Sequence, residues 1–252
     1  ASSTGVTPGP ARRARGDPGR TGPLSGAVGP GHRRAPQRPG HAVAGPLDQH
    51  QVVRGGELLR GGVAPLRREL LAGLSGRVIE IGAGNGLNFA HYPRAVSEVV
   101  AVEPERTLRR LAAEAALRSE VPVDVVPGAA EALPVKSEAF DAAVASLVLC
   151  TVRDLPRSLA ELYRVLRPGA ELRFFEHGLA PGPGMAAVQR ALDRTTVWPR
   201  LFGGCHTARD PLAAIEAAGF RVVSQRTLRL PERGPALPSS YCVLGSARRP
   251  SD

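Results

Sequence analysis

The chain has 252 residues, 42% of them hydrophobic and 22% charged, which suits one domain of ordinary size plus an appendage. Its net charge is +10, yet no aromatic residues interleave the basic ones as they do where single-stranded nucleic acid stacks, so nucleic acid is not an expected partner. No apolar run reaches membrane-span length, and Cys150, Cys205 and Cys242 are odd in number, far apart and in no Cys-x-x-Cys pair, so neither a disulfide framework nor a metal site is expected, and a reducing cytoplasm is the natural compartment.

Residues 1–56 are Pro, Gly, Arg and Ala in no period, without an aromatic residue or an apolar cluster. Such a stretch cannot bury enough surface to offset its ordering entropy, and it is predicted to be a disordered tail ahead of a domain spanning 57–248. The chain starts at Ala1 and has a single lysine, Lys136, among its many arginines. This bias points to a GC-rich coding sequence, and residues 1–55 are expected to be a misread start or frame that displaces authentic N-terminal helices.

Leu66, Leu70, Leu71 and Leu74 share one helical face, and Gly76 ends the run. The stretch Val78 to Ile81 then reads as a buried strand entering a tight turn, Gly82-Ala83-Gly84-Asn85-Gly86. A dinucleotide fingerprint would need glycine at 87, where Leu87 stands, so nicotinamide binding is not expected. Glu80-x-Gly82-x-Gly84-x-Gly86 instead resembles motif I of the class I S-adenosylmethionine-dependent methyltransferases. The resemblance implies S-adenosyl-L-methionine as cofactor, with Gly82, Ala83, Gly84, Gly86 and Asn88 around its methionine part and Glu80 facing its ammonium group. A carboxylate there is electrostatically favourable, because the donor carries two cationic centres and no phosphate.

Glu98 to Val102 is a second buried strand, ending in Glu103-Pro104. Glu103 lies 17 residues past Gly86, close to the separation at which an acid meets ribose hydroxyls in nucleoside-binding α/β folds. A crossover helix over 105–118 and a third strand, Val121 to Val126, follow. The segment Gly128-Ala129-Ala130-Glu131-Ala132-Leu133-Pro134 resembles the family's adenine loop with Ala129 in place of the usual aspartate, which implies contacts from Ala130 and Glu131 with one acceptor fewer.

Phe140 to Ser146 is the fourth strand, and Leu147 opens the apolar run that in the family faces both methionine and acceptor. An Asn/Asp-Pro-Pro-aromatic motif is missing there, which argues against DNA bases as substrate. Asp154 is expected to cap a helix carrying Leu155, Leu159, Leu162 and Leu166, stopped by Arg167-Pro168-Gly169. Glu171 to His177 is the fifth strand, on which Glu176 alternates away from His177 and is read as structural. The long segment 179–206 is read as a lid over an apolar acceptor pocket or a helix packed on the sheet edge, and it is able to rest on a membrane surface. A helix from Pro211 to Ala218 with Asp210 as its cap and two final strands, 220–228 and 240–246, complete an α/β, Rossmann-like, doubly wound sheet, mostly parallel with an antiparallel last strand.

Leu147 to Val152, Arg164 to Gly169, Phe175-Glu176-His177, Trp198-Pro199 and Phe202 to Arg209 also resemble the alkyl thiol methyltransferase-like proteins. Leu87-Asn88 and Tyr92-Pro93 are shared with bacterial phospholipid N-methyltransferases. The implied acceptor is a small, apolar molecule such as an alkyl thiol, with lipid or quinone methylation and a non-catalytic cofactor-binding module as alternatives. His177, and less strongly His206, are the candidate bases, and a loop-orienting role for His177 is equally open.

Overall fold

The computed structural model describes residues 63–251, so the expected tail over 1–56 lies outside the described residues. Helix α1 (63–71) leads into β1 (Gly76–Ile81), a single 3₁₀ turn (Phe89–His91), β2 (Val96–Val102), α2 (Arg106–Ala116) and β3 (Val123–Val126). The second half runs β4 (Phe140–Ser146), α3 (Leu155–Val165), β5 (Leu166–His177), α4 (Pro183–Arg194), α5 (Val197–Leu201), α6 (Pro211–Ala217), β6 (Arg221–Arg229) and β7 (Tyr241–Arg248). The strands form one sheet in the order β3-β2-β1-β4-β5-β7-β6, in which β7 runs antiparallel to both its neighbours. This is the doubly wound, mostly parallel architecture that the alternation of strands and helices predicts.

The central strands read as unbroken apolar runs because both faces are covered. Ile79 and Ile81 of β1 pack with Val100, Ala143, Leu159 and Phe174 on one face. Val78 packs with Leu70, Leu71, Val99 and Phe175 on the other. Glu80 is the exception on that second face, a carboxylate only 2% exposed. Since β1 pairs with β2 on one side and β4 on the other, the chain reverses direction across the sheet at β1. The crevice beyond the carboxyl ends of β1 and β4 is therefore the place where such sheets take ligands.

Two boundaries differ from expectation for identifiable reasons. Helix α1 stops at residue 71, and Gly73 turns the chain at φ 76°, so Leu74 reaches the core from a turn and not from the helical face. Helix α3 stops at Val165, because Leu166 is drawn into the sheet beside Phe140. Arg167-Pro168-Gly169 is thus an irregularity at the start of β5, where the register with β4 shifts, and the Gly169 amide donates to the Arg249 carbonyl. The caps at Asp154 and Asp210 form as expected, accepting from the Arg157 and Ala213 amides.

Segment 179–206 folds as α4 and α5 and is tied to the body through two polar side chains. Gln189 is fully buried, accepts from the Ala180 amide and donates to the carbonyls of Gly178, Thr207 and Pro238. Asp193 accepts from the Thr207 and Ala208 amides, fixing the chain that follows α5.

Candidate functional site

At the end of β1 the glycine turn occupies left-handed backbone space, with φ of 60°, 58° and 79° at Gly82, Gly84 and Gly86. A Cβ at position 82 would stand 2.3 Å from Val148 Cγ2, so the turn packs directly on the loop after β4. Around Gly84 a Cβ would meet nothing within 4 Å, which leaves bare backbone facing open space at the switch point. Ala83 is buried, and its amide donates to the Val102 carbonyl, clamping the turn to β2.

Two buried carboxylates flank this cradle. Glu80 accepts from Asn88 Nδ2 at 2.8 Å and from the Tyr92 hydroxyl at 2.7 Å. Burial raises the Glu80 carboxyl to about 7, against the lowering effect of those two hydrogen bonds and of Arg67. Arg67, on α1, donates to Asn88 Oδ1 at 2.6 Å and to Ser146 Oγ at 3.4 Å, bridging α1, the 3₁₀ turn and the end of β4. This guanidinium belongs to no motif in the sequence. Its signal was an arginine one turn from Leu70 and Leu71, on a helix whose neighbouring positions are buried. Glu103, at the end of β2, accepts from the Gly84 amide at 2.8 Å and the Glu105 amide at 2.9 Å, and burial raises its carboxyl too. Each oxygen keeps a lone pair beyond its amide.

The other sequence-predicted residues are placed less uniformly. Pro104 follows Glu103 on the surface, its carbonyl accepting from Arg109. Ala130 is buried in the turn after β3. Glu131 sends its carboxylate to the Arg153 and Asp154 amides, so this side chain serves the entry to α3. Leu147 takes φ 57°, an uncommon conformation for a branched apolar residue, and its amide donates to the Phe175 carbonyl at 2.7 Å. The strained residue stands at the mouth of the crevice.

Beyond β4 the chemistry changes character. Glu176 is fully buried and accepts from three consecutive backbone amides, Val148, Leu149 and Cys150, at 3.0, 2.9 and 3.3 Å. It holds the loop after β4 in place, the structural role expected of it. His177, beside it, aims Nδ1 at Cys150 Sγ (3.5 Å) and Cys205 Sγ (3.2 Å). The two cysteines that look unrelated in sequence thus converge on the candidate base. The adjacent Cys205 thiol and burial together push the Cys150 thiol well up. His206 lies 3.6 Å from Asp193 Oδ2, and burial and Arg209 lower its imidazole. Its own amide donates to the Cys150 carbonyl at 2.8 Å, and Arg209 donates to the Leu149 carbonyl at 2.7 Å.

The profile described as a methyltransferase domain matches residues 79–174, from β1 into β5. Thiol S-methyltransferase TMT1B of Mus musculus is 32% identical over 182 residues, covering 70% of this chain and 73% of that protein. The chain belongs to the class I S-adenosylmethionine-dependent methyltransferases. The ubiquinone/menaquinone biosynthesis C-methyltransferase UbiE of Syntrophotalea carbinolica is 30% identical to this methyltransferase over 179 residues, covering 69% of the chain and 70% of that enzyme. In fold, the methyltransferase matches the S-adenosylmethionine-dependent methyltransferase of Mesorhizobium loti with a TM-score of 0.56 at 21% identity, over 76% of this chain and 100% of that one. The methyltransferase is an enzyme that uses S-adenosylmethionine to methylate a small acceptor. Its cradle fits that donor: bare glycine backbone lies between two buried carboxylates that suit an ammonium and a ribose.

Proposed function

We propose that the acceptor is a small apolar thiol, methylated at sulfur. The relationship to the mouse thiol S-methyltransferase carries this reading. The chemistry of the β4 loop supports it, since the side chain that packs against the Gly82 turn, Val148, is apolar. A thiol also asks little of the protein, because its unperturbed pKa of about 8.5 leaves a usable thiolate fraction near neutrality.

In this reading Gly82, Ala83, Gly84 and Gly86 shape the methionine pocket, and Glu80, positioned by Asn88 and Tyr92, takes the ammonium. Arg67 meets the carboxylate end, and Glu103 accepts from the ribose hydroxyls. Backbone at Ala130 meets the adenine, with Pro104 and Glu131 at its margins and Leu147 beneath the methyl group. When bound, S-adenosylmethionine supplies an electrophilic methyl group on a sulfonium. The protein's task is then to align the acceptor with that bond and keep water away, so proximity matters more than acid–base groups. His177 and His206 are the two groups able to take the acceptor's proton. A reducing cytoplasm agrees with three cysteines that are all free thiols.

The test is methyl transfer from S-adenosylmethionine to an alkane thiol, a quinol and a phosphatidylethanolamine, followed by mass spectrometry, beside calorimetric titration of the cofactor into wild type and Glu103→Ala. Methylated thiol with cofactor binding lost in the variant is the expected result; transfer to the quinol or lipid alone would overturn the thiol. The lipid-like alternative has one observation in its favour, the exposed apolar side chains Val197, Leu201 and Phe202 on and after α5. Peripheral contact is the form this would take, since among the described residues no helix is long and apolar enough to cross a membrane.

A further inference from the structure

Cys150, His177 and Cys205 come from the loop after β4, the end of β5 and the chain after α5, yet their ligand-capable atoms all lie within 4.8 Å of one another. Two sulfurs and one imidazole nitrogen make a soft, Cys₂His donor set of the type that selects zinc over magnesium or calcium. The spacing fits as well. Tetrahedral coordination with ordinary zinc–sulfur and zinc–nitrogen bonds puts sulfur and nitrogen about 3.6 Å apart, and the observed separations are 3.5 and 3.2 Å.

The donors are also supported in the way metal ligands are. Glu176 fixes the Cys150 backbone by accepting from its amide, and the Cys150 carbonyl accepts from the His206 amide, which joins the two cysteine-bearing segments. Both cysteines are buried, at 2% and 5% exposure, while His177 is only partly so, which leaves its side of the cluster as the approach. Cys242 faces His177 across the β5–β7 pairing but stands outside the cluster. Three protein donors, with no fourth among the described residues, is the arrangement of zinc sites that keep one position for an exogenous ligand.

We infer that Cys150, His177 and Cys205 bind one zinc-class divalent cation whose remaining position takes a thiolate, so that the acceptor is held as a metal-bound sulfur beside the crevice and His177 serves as a ligand in place of a base. The second half rests on the thiol reading above; the first does not. Such a cation would hold the thiolate deprotonated near neutrality and would tie α4 and α5 to the sheet.

The experiment uses the full chain, purified with a phosphine reductant so that no thiol competes, and titrated with Co²⁺ and then Zn²⁺. One equivalent of Co²⁺ with a sulfur-to-cobalt charge-transfer band, displaced by Zn²⁺, is the expected result. Cys150→Ser and Cys205→Ser should each weaken binding by more than about 100-fold, above the loss usual for an outer-shell contact, while Cys242→Ser keeps it. S-adenosylmethionine binding by calorimetry shows whether each variant is folded. Adding an alkane thiol to the cobalt form should shift the visible bands. No stoichiometric cobalt, equal binding by Cys150→Ser, or a Cys150–Cys205 disulfide that forms whether or not Zn²⁺ is present would overturn the metal site. Cobalt bands indifferent to thiol would overturn the acceptor position alone. Cobalt binding without thiol methylation would count against the proposed reaction and leave the site standing.

Discussion

The two halves of the sheet's carboxyl edge are assembled in different ways. On the β1–β2 side, Glu80, the glycine turn and Glu103 sit at the ends of adjacent strands, and their partners Asn88 and Tyr92 lie within twelve residues of Glu80. On the β4–β5 side, Cys150 and Cys205 reach His177 from 27 and 28 residues away along the chain. The first half is fixed by local backbone geometry and so leaves a contiguous motif. The second is fixed by tertiary packing and leaves none. Substitutions should therefore act through backbone conformation on one side and through long-range ties on the other.

The largest effect is expected at Gly82. Gly82→Ala meets Val148 Cγ2 and is strained at φ 60°, a combined cost of about 3 kcal/mol, with cofactor binding lost. Gly84→Ala has the same backbone strain and free space, so it should fold and still bind the cofactor poorly. Thermal melts with and without S-adenosylmethionine distinguish the two; normal cofactor affinity in Gly84→Ala would remove the donor from this turn. On the other side, Glu176→Ala leaves three buried amides without an acceptor and should lower stability by about 3 kcal/mol, read by denaturant titration. A loss under about 1 kcal/mol would mean that the loop after β4 does not depend on this tie.

This contrast also explains what was legible in the sequence. The alternation of strands and helices, the antiparallel finish and the caps at Asp154 and Asp210 were legible because periodicity, short connections and capping are local. The end of α3 was misjudged because pairing of Leu166 with Phe140 outweighs its place on a helical face. Glu80 stood out because it leads the glycine motif, and Glu103 because it ends a buried strand 17 residues past Gly86. Arg67 was missed because its partners are 21 and 79 residues distant. The cysteine cluster was missed because no spacing rule covers donors drawn from three separate elements.

A pH series sharpens the account of the β1 side. The Glu80 carboxyl is raised to about 7, so the free protein holds a proton there below that pH. Binding an ammonium requires the ionised form, so cofactor affinity should fall about tenfold per unit as pH drops below 7 and level off above it. For stability the sign is opposite: the contribution of protonated Glu80 is complete below its unfolded pKa of about 4.3 and is lost as pH rises through 7. Glu80→Gln should flatten the affinity profile; an unchanged profile would assign the titration elsewhere. Arg67→Ala, smaller again, should weaken S-adenosylmethionine about tenfold, as loss of one charge-assisted contact does. It should leave 5′-methylthioadenosine, which lacks the amino acid, unaffected; equal losses for both ligands would make Arg67 a purely structural bridge.

The smallest effect on the fold itself is expected at the outer face of the β4–β5 side. Leu201 and Phe202 are 56% and 53% exposed, so Leu201→Ser with Phe202→Ser removes little buried surface. Phe202 does stack on Trp198 at 3.9 Å between ring centroids, and losing that pair should cost about 1 kcal/mol. The same substitutions carry a larger consequence if acceptors arrive dissolved in a bilayer. Binding to lipid vesicles and turnover of a vesicle-borne long-chain thiol would then fall together, while turnover of a short water-soluble thiol stays constant. A uniform change for both thiols would make this face part of the pocket wall, and no change in either would leave it as ordinary surface.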